Sequence, residues 1–397
     1  MIKQLHIENF RSIQKADLEL GKFTVITGAN NCGKSSFIYS LLTLKNLVNN
    51  PNQSLDNFFV FGGLNLGGFG QTVFQKNLDL SIGLSIEVGE NQTSYQAILN
   101  PRKSFLNLTL NDDNSFELGV AFPYSINQNV DKKAHINGKE VTLSWNGIGG
   151  STFGWELSDD DEKNLKNIRS EMFLPADELN KTDFIPVRRG FTKPYYGTIP
   201  LQSQITTEDE IATLLATNGE LSVRVSHYLE EIVDRIFSIR FTPGTANFYL
   251  QTRDKNNSFI ADIVNEGLGT NQLMTMLAKI LYSNNQTICI DEPEIHLHPS
   301  IINRFVASLV EISNNEEKQF VLSTHSEQFL AALLRQVSEG KLVPEDLCVY
   351  YLTKDKKGTT QFERQAVNAH GQIKGGYKSF LDAEMDNLQS LFQLSEV

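Results

Sequence analysis

The sequence predicts an α/β fold, with a central mixed or parallel sheet, an antiparallel β flank and a helical subdomain, and three observations carry that prediction. Lys22 to Val48 reads as strand, glycine loop and helix; Thr287 to Glu292 and Gln319 to Ser326 are short apolar strands ending in polar residues; Val73 to about Leu143 is a succession of short alternating runs. Strands buried on both faces read as unbroken apolar runs, whereas sheets with one wet face alternate, so these stretches belong to two kinds of sheet.

The first stretch holds Gly28-Ala29-Asn30-Asn31-Cys32-Gly33-Lys34-Ser35, which fits the phosphate-loop pattern G-x-x-x-x-G-K-[ST]. Phe23, Val25 and Ile26 give the preceding strand something to bury. Phe37, Ile38, Leu41, Leu42, Leu44, Leu47 and Val48 recur at helical spacing and stop before Pro51. Successive N–H groups of such a loop, with the positive end of the helix behind them, surround phosphate oxygens. Asn30, Asn31, Gly33 and Ser36 are candidate phosphate contacts, Lys34 reaches the β/γ-phosphates, and the Ser35 hydroxyl can ligate Mg²⁺. ATP and Mg²⁺ are the expected cofactors.

A length of 397 residues accommodates one large α/β domain with an insertion, or two domains. With 40% hydrophobic and 21% charged residues the chain reads as globular, and its net charge of -12 means that any surface for a nucleic-acid backbone must be built locally, against overall repulsion. Cys32, Cys289 and Cys348 have no paired spacing, so neither a zinc ribbon nor a disulfide framework is indicated. The sequence shows no signal peptide and no run of 18 apolar residues, and the expectation is a cytoplasmic protein without membrane contact.

In chain order, Met1 to Phe10 alternates as a strand, and Leu18 and Leu20 lead into the strand before the loop. Arg11, at the intervening turn, is placed either to bring a guanidinium near phosphate or to serve as a solvated turn residue. Five glycines between Phe58 and Gly70 allow tight turns, as a mobile loop around nucleotide or a structural hinge. Asp159-Asp160-Asp161-Glu162 reads as a solvated acidic turn. Ile185 to Arg189, with Lys193, Tyr195 and Tyr196, is the one concentrated basic and aromatic patch, open to nucleic acid, to nucleotide or a partner, or to structure alone. Glu208 to Phe237 reads as two helices broken near Asn218-Gly219, and no heptad series predicts a long coiled-coil arm. Four segments are expected: 1–150 and 241–345 as two parts of one head, 151–240 as a helical insertion, and 346–397 as a small extension. That extension reads as a strand at Leu347 to Leu352, a turn at Lys357-Gly358, a strand at Thr359 to Phe362 and a helix from about Tyr377.

Thr287-Ile288-Cys289-Ile290-Asp291-Glu292 is a strand that delivers two acids to the crevice beyond its carboxyl end. Asp291 can hold Mg²⁺, and Glu292 is spaced to polarise the attacking water. Gln319 to Thr324 repeats the design, placing His325 beside the same crevice, to sense or stabilise a γ-phosphate or to line it as a helix cap. His296 and His298 lack a third regularly spaced metal ligand and read as a structural or dimer-facing loop. Gly267-Leu268-Gly269-Thr270-Asn271-Gln272 opens a helix whose N–H groups can face an anion, and it becomes meaningful as a partner to the phosphate loop.

Taken together, these motifs resemble ABC-type ATPase heads of the RecF/SMC class, and more closely the overcoming-lysogenization-defect-like bacterial AAA ATPases associated with phage defence. The resemblance runs through Ile7-Glu8-Asn9-Phe10-Arg11-Ser12, the loop at 28–35, the 267–272 signature, the strand and His-Leu-His-Pro at 288–299, and Ser323-Thr324-His325-Ser326. It implies a P-loop NTPase with an ABC-type head in which Lys34, Ser35 and Asp291 bind Mg-ATP, Glu292 is the catalytic base and His325 the switch. Gly267, Gly269 and Gln272 would complete a partner's site on dimerisation. Pro186-Val187-Arg188 resembles the family's Pro-Leu-Arg element. Gly269 stands where the signature usually carries serine, and Gln71 is the best candidate for the Q-loop glutamine. The resemblance further implies a homodimer or higher even-numbered oligomer. The roughly 70 residues after His325 are too few for the Toprim nuclease domain that overcoming-lysogenization-defect proteins append, and with the acidic balance this leads to the expectation of a separately encoded effector such as a nuclease. A DNA-repair clamp that binds DNA directly and an ATP-dependent scaffold are the alternatives.

Overall fold

The computed structural model describes residues 1–110, 116–122, 129–136, 139–154, 158–202 and 204–374. The chain opens with an antiparallel pair, β1 (Ile2–Phe10) and β2 (Ile13–Glu19), and then enters β3 (Phe23–Gly28), buried throughout. The phosphate loop leads from β3 into α1 (Lys34–Asn49). The glycine-rich stretch forms a short hairpin, β4 (Val60–Phe61) and β5 (Leu64–Asn65), with Gly62 and Gly63 at positive φ in its turn, followed by the single turn α2 (Phe69–Thr72). A meander of β6 (Ile82–Val88), β7 (Thr93–Leu99), β8 (Ser104–Leu110) and β9 (Phe116–Phe122) joins the first pair in the order β2-β1-β6-β7-β8-β9. Alternate residues of these strands, such as Leu106, Leu108 and Leu110, are buried, which fixes one dry face and the register with it. β10 (Val130–Ile136), β11 (Lys139–Trp145) and β12 (Gly150–Gly154) make a separate three-stranded antiparallel sheet.

The acidic run at 159–162 begins the helix α3 (Asp159–Asn180) and is not a solvated turn. Ser158 and Asp161 form a reciprocal capping box that satisfies two N-terminal donors, and Asp161 is buried and bridged by Lys139 at 3.2 Å. β13 (Thr182–Ile185) follows and joins the central sheet, so the 151–240 segment contributes strand as well as helix. β14 (Tyr196–Gly197), α4 (Glu208–Thr217) and α5 (Gly219–Val233) come next, the two helices separated where the Asn218 side chain caps the second. The helical reading through Phe237 overshoots: Asp234 takes a left-handed φ of 56°, and β15 (Arg235–Phe241) begins, pairing with β16 (Asn247–Asp254). β17 (Ile260–Asp262) pairs with the far side of β16.

The rest of the chain is α6 (Leu268–Leu281), β18 (Thr287–Asp291), α7 (Pro299–Glu316), β19 (Gln319–Ser323), α8 (Glu327–Ser338), β20 (Leu347–Lys354) and β21 (Thr360–Gln365). The central sheet runs β13-β18-β19-β3-β20-β21; all neighbours are parallel except β21, which returns antiparallel to β20. Successive side chains leave a strand on opposite faces. Ile288, Ile290, Phe320, Leu322, Leu347 and Val349 accordingly pack with α4 to α8, while Cys289, Val321, Cys348 and Tyr350 pack toward α1, α3 and the antiparallel lobe. Register places Asp291, Ser323, Ile26 and Tyr350 in one row, so the carboxyl ends of four strands share one edge. The helix expected from Tyr377 lies outside the described residues.

Candidate nucleotide site

Backbone geometry makes the loop. Gly28 and Gly33 have φ of 138° and 103°, a region other residues rarely adopt. A Cβ on Gly33 would also stand 2.6 Å from Thr360 Oγ1 and 3.0 Å from Ser12 Oγ. Gly33 opens α1, whose first N–H groups and dipole face the crevice. Lys34 is buried, and its ammonium donates to Gly28 O at 2.9 Å and Ala29 O at 3.1 Å, which folds it over the loop. The Ser35 hydroxyl lies 3.2 Å from Asp291 Oδ2, and Ser323 donates to the other oxygen of the same carboxylate. These are hard oxygen donors of the type Mg²⁺ takes, brought to one point by β18, β19 and α1.

Glu292 follows β18 with a left-handed φ of 49°. Its N–H donates to Ser323 O at 2.9 Å, and its Oε1 lies 3.3 Å from His325 Nδ1, so the expected base and switch residue are in contact. Arg189 holds this turn from behind: its guanidinium donates to Asp291 O at 2.9 Å, Glu292 O at 2.7 Å and Pro186 O at 3.0 Å. Burial pushes that guanidinium down to about 10, against the attraction of Glu294, Asp291 and Glu292, so it stays protonated at neutral pH. Burial raises the carboxyl of Glu294, whose Oε1 accepts from Thr324 at 2.6 Å. The basic patch at 185–193 therefore resolves unevenly: Arg189 is a brace, Lys193 is paired with Asp209, Tyr196 is buried, and Arg188 is exposed.

A pocket of ≈ 580 Å³ at the strand ends is lined by Asn30, Asn31, Gly33, Lys34, Ser35, Ser36 and Glu292, together with Arg11 and Gln71. Arg11 has a φ of 55°, its N–H donates to Thr72 O at 2.6 Å, and its guanidinium stacks 5.3 Å from the Tyr39 ring centroid. Burial lowers its pKa, and it is a wall of the pocket rather than a solvated turn residue. Sequence reasoning missed Lys354, Lys357 and Gly358, which the β20–β21 hairpin adds to the lining. Lysines at a turn carry no local signature of a site. Tyr39 was also missed; its phenol is raised chiefly by burial and by the charge of Asp291, and it meets Ser35.

Gly267, Gly269 and Gln272 do not line this pocket. Gly267 caps α6, and the adjoining Leu268 is 61% exposed, whereas Gln272 is 8% exposed and points inward. Gln272 is thus not presented by this conformation to a second chain, because it falls on the helix's inner face. A Cβ on Gly269 would stand 2.6 Å from His296 O, so glycine there permits close packing against the loop after β18. His298 caps α7 through its Nδ1, and no group of three or more His, Cys, Asp or Glu residues able to hold a metal occurs among the described residues. Nor is any described helix long and apolar enough to cross a membrane.

The AAA ATPase domain family model matches residues 1–330. An ATP/GTP phosphatase of Helicobacter pylori is 21% identical over 366 residues, 85% of this chain and 89% of that protein. The Old nuclease of Escherichia phage P2 is 34% identical over 124 residues, 28% of this chain and 20% of that protein. Among solved structures, an SMC head bound to the C-winged helix domain of ScpA shares the fold with a TM-score of 0.50 at 13% identity, covering 92% of this chain and 98% of that one. With the phosphate loop, the acidic strand end and the shared head fold in one molecule, the chain belongs to the AAA ATPase domain family and is an ATP-hydrolysing enzyme on an SMC-head-like, ABC-type head.

Proposed function

We propose that two copies of this chain sandwich two ATP molecules, each held by one copy's phosphate loop and covered by the other's α6 entrance, and that the ATP-gated pair controls a separately encoded nuclease in defence against phage. The observation that carries the clamp is the division of the site. Lys34, Ser35 and Glu292 line one pocket, while Gly267 and the exposed Leu268 stand outside it at the start of a 14-residue helix. An exposed apolar side chain beside a helix N-terminus that lacks a side-chain cap suits a surface that closes on an anion and a second copy.

Within each site, Lys34 and the loop N–H groups bind the β- and γ-phosphates, and Ser35 and Asp291 are the residues that would hold Mg²⁺. Bound there, the ion neutralises charge on the phosphate oxygens. Glu292 accepts a proton from the attacking water as the bond to the γ-phosphorus forms and the bond to the ADP oxygen breaks, releasing inorganic phosphate. His325, 3.3 Å from the Glu292 carboxylate, fixes its direction. Loss of the γ-phosphate then removes the group that both copies share.

The effector part of the proposal is supported by the partial likeness to the Old nuclease. The test is light scattering with the Glu292→Gln and Lys34→Ala variants. Glu292→Gln is expected to bind ATP without turnover and to double in mass; Lys34→Ala is expected to bind no ATP. A Glu292→Gln chain that stays monomeric with ATP bound defeats the clamp. For the effector, co-purification of a nuclease with the ATP-trapped variant supports the reading, and DNA-stimulated, salt-sensitive hydrolysis without such a partner contradicts it.

A further inference from the structure

The β20–β21 hairpin lies beyond the residues matched by the family model, yet it is built into the phosphate loop. Thr360 donates its hydroxyl to Cys32 O at 2.9 Å, shares a 2.8 Å hydrogen bond with Ser12 Oγ, and donates its N–H to Ser12 O at 2.8 Å. The turn between the strands is tied by Asp355, whose Oδ1 accepts from the N–H groups of Lys357 and Thr359 at 2.8 and 2.9 Å. Asp355 is thereby engaged with the backbone. Lys354 and Lys357 are exposed, line the pocket, and enter no ion pair among the described residues.

Position along the sheet says which part of a nucleotide they meet. Asp291 ends β18 and Glu292 follows it, and together they mark the reacting γ-phosphate, since the base must reach the attacking water. β20 lies three strands away in the order β18-β19-β3-β20, a separation of about 14 Å at the usual strand spacing. A triphosphate that starts at Glu292 and passes over the loop therefore presents its nucleoside end to the hairpin. We propose that this hairpin is the nucleoside-side wall of the ATP site, with Lys354 and Lys357 contacting the α-phosphate and ribose oxygens. The proposal rests on the assignment of the 28–35 loop as the ATP-binding loop.

The experiment is calorimetric titration of the full chain with ATP, ADP and inorganic pyrophosphate, for wild type, Lys354→Ala/Lys357→Ala, Lys354→Arg/Lys357→Arg, Lys356→Ala and Lys34→Ala. Two partly exposed charge contacts correspond to a loss of roughly five- to tenfold. That loss is expected for ATP and ADP alike in the double alanine variant, with the arginine variant and Lys356→Ala close to wild type. Inorganic pyrophosphate, seated over Lys34 in the β and γ positions, is expected to bind the double variant within about twofold of wild type, because it places no phosphate or ribose at the hairpin and exposed charges are screened. Unchanged affinity for ATP and ADP overturns the proposal, as does an equal loss for inorganic pyrophosphate. If Lys34→Ala leaves all three ligands bound, the assignment of the loop itself is wrong and the hairpin proposal falls with it.

Discussion

Replacing Arg189 by alanine removes three hydrogen bonds from one buried guanidinium to the carbonyls of Asp291, Glu292 and Pro186. A hydrogen bond from a charged donor contributes about 1.5–3 kcal/mol, and water entering the vacated space recovers part of it. The expected loss of folding stability is roughly 3–5 kcal/mol, the size seen when one partner of a buried charged cluster is deleted. The functional effect is separable from that loss. Glu292 sits in a left-handed conformation held between Arg189 and Ser323, and such strain persists only where neighbours impose it. Freed from Arg189, the carboxylate moves, and a displacement of about 1 Å costs on the order of 100-fold in rate. Arg189 directs its hydrogen bonds to Pro186, Asp291 and Glu292 and not to the loop at 28–35, so the affinity for ATP is expected to stay within about threefold of wild type. Arg189→Lys, keeping the charge but not the fork, is expected to fall between the two. Urea unfolding, ATP titration and steady-state kcat on the same preparations check this; an alanine variant that is destabilised but keeps wild-type kcat refutes the positioning role.

Other expectations follow from the same geometry. The Glu294 carboxyl is raised by burial, so the folded chain takes up a proton there at a higher pH than the unfolded chain does, and wild-type stability gains as pH falls through the raised value. The stability of Glu294→Gln relative to wild type is therefore expected to be greatest at neutral pH and to shrink toward the ordinary carboxylate range; a pH-independent difference contradicts it. Gly33→Ala forces a side chain into a φ of 103° and against Thr360 and Ser12, at a cost of about 1–3 kcal/mol, and should weaken ATP binding and lower Tm together. Cys289 is fully buried, with its thiol pushed up to about 12, so alkylation at pH 8 is expected only after denaturation; rapid labelling of Cys289 in the native chain, located by peptide mass, speaks against its placement.

What the sequence made legible is chemistry that is contiguous along the chain. The loop at 28–35, the acids at 291–292 and His325 each carry their own strand and turn signals, and in the structure Ser35 lies against Asp291 and Glu292 against His325. The resemblance between motifs supplied the relation among them. What stayed illegible depends on contacts distant in sequence. Arg189 serves carbonyls 102 and 103 residues away, and a carbonyl has no residue identity to read. Lys354 and Lys357 reach the pocket only because β20 pairs beside β3. Glycine at 269 is compatible with a partner contact or with close packing against His296, and only the fold reveals that the second contact exists. The end of α5 was overrun because Ile236 and Phe237 continue its apolar series, while tertiary pairing with β16 decides for strand.

The clamp is tested most directly by placing a charge at its closing surface. Leu268 is exposed at the start of α6 and lies outside the chain's own nucleotide pocket, so Leu268→Asp on the Glu292→Gln background should leave ATP bound by each chain yet prevent the doubling of mass. Light scattering with parallel ATP titration reads both quantities. A monomer that retains ATP is the predicted result; a pair that forms with ATP regardless of the aspartate would show that the α6 entrance does not close the neighbouring site.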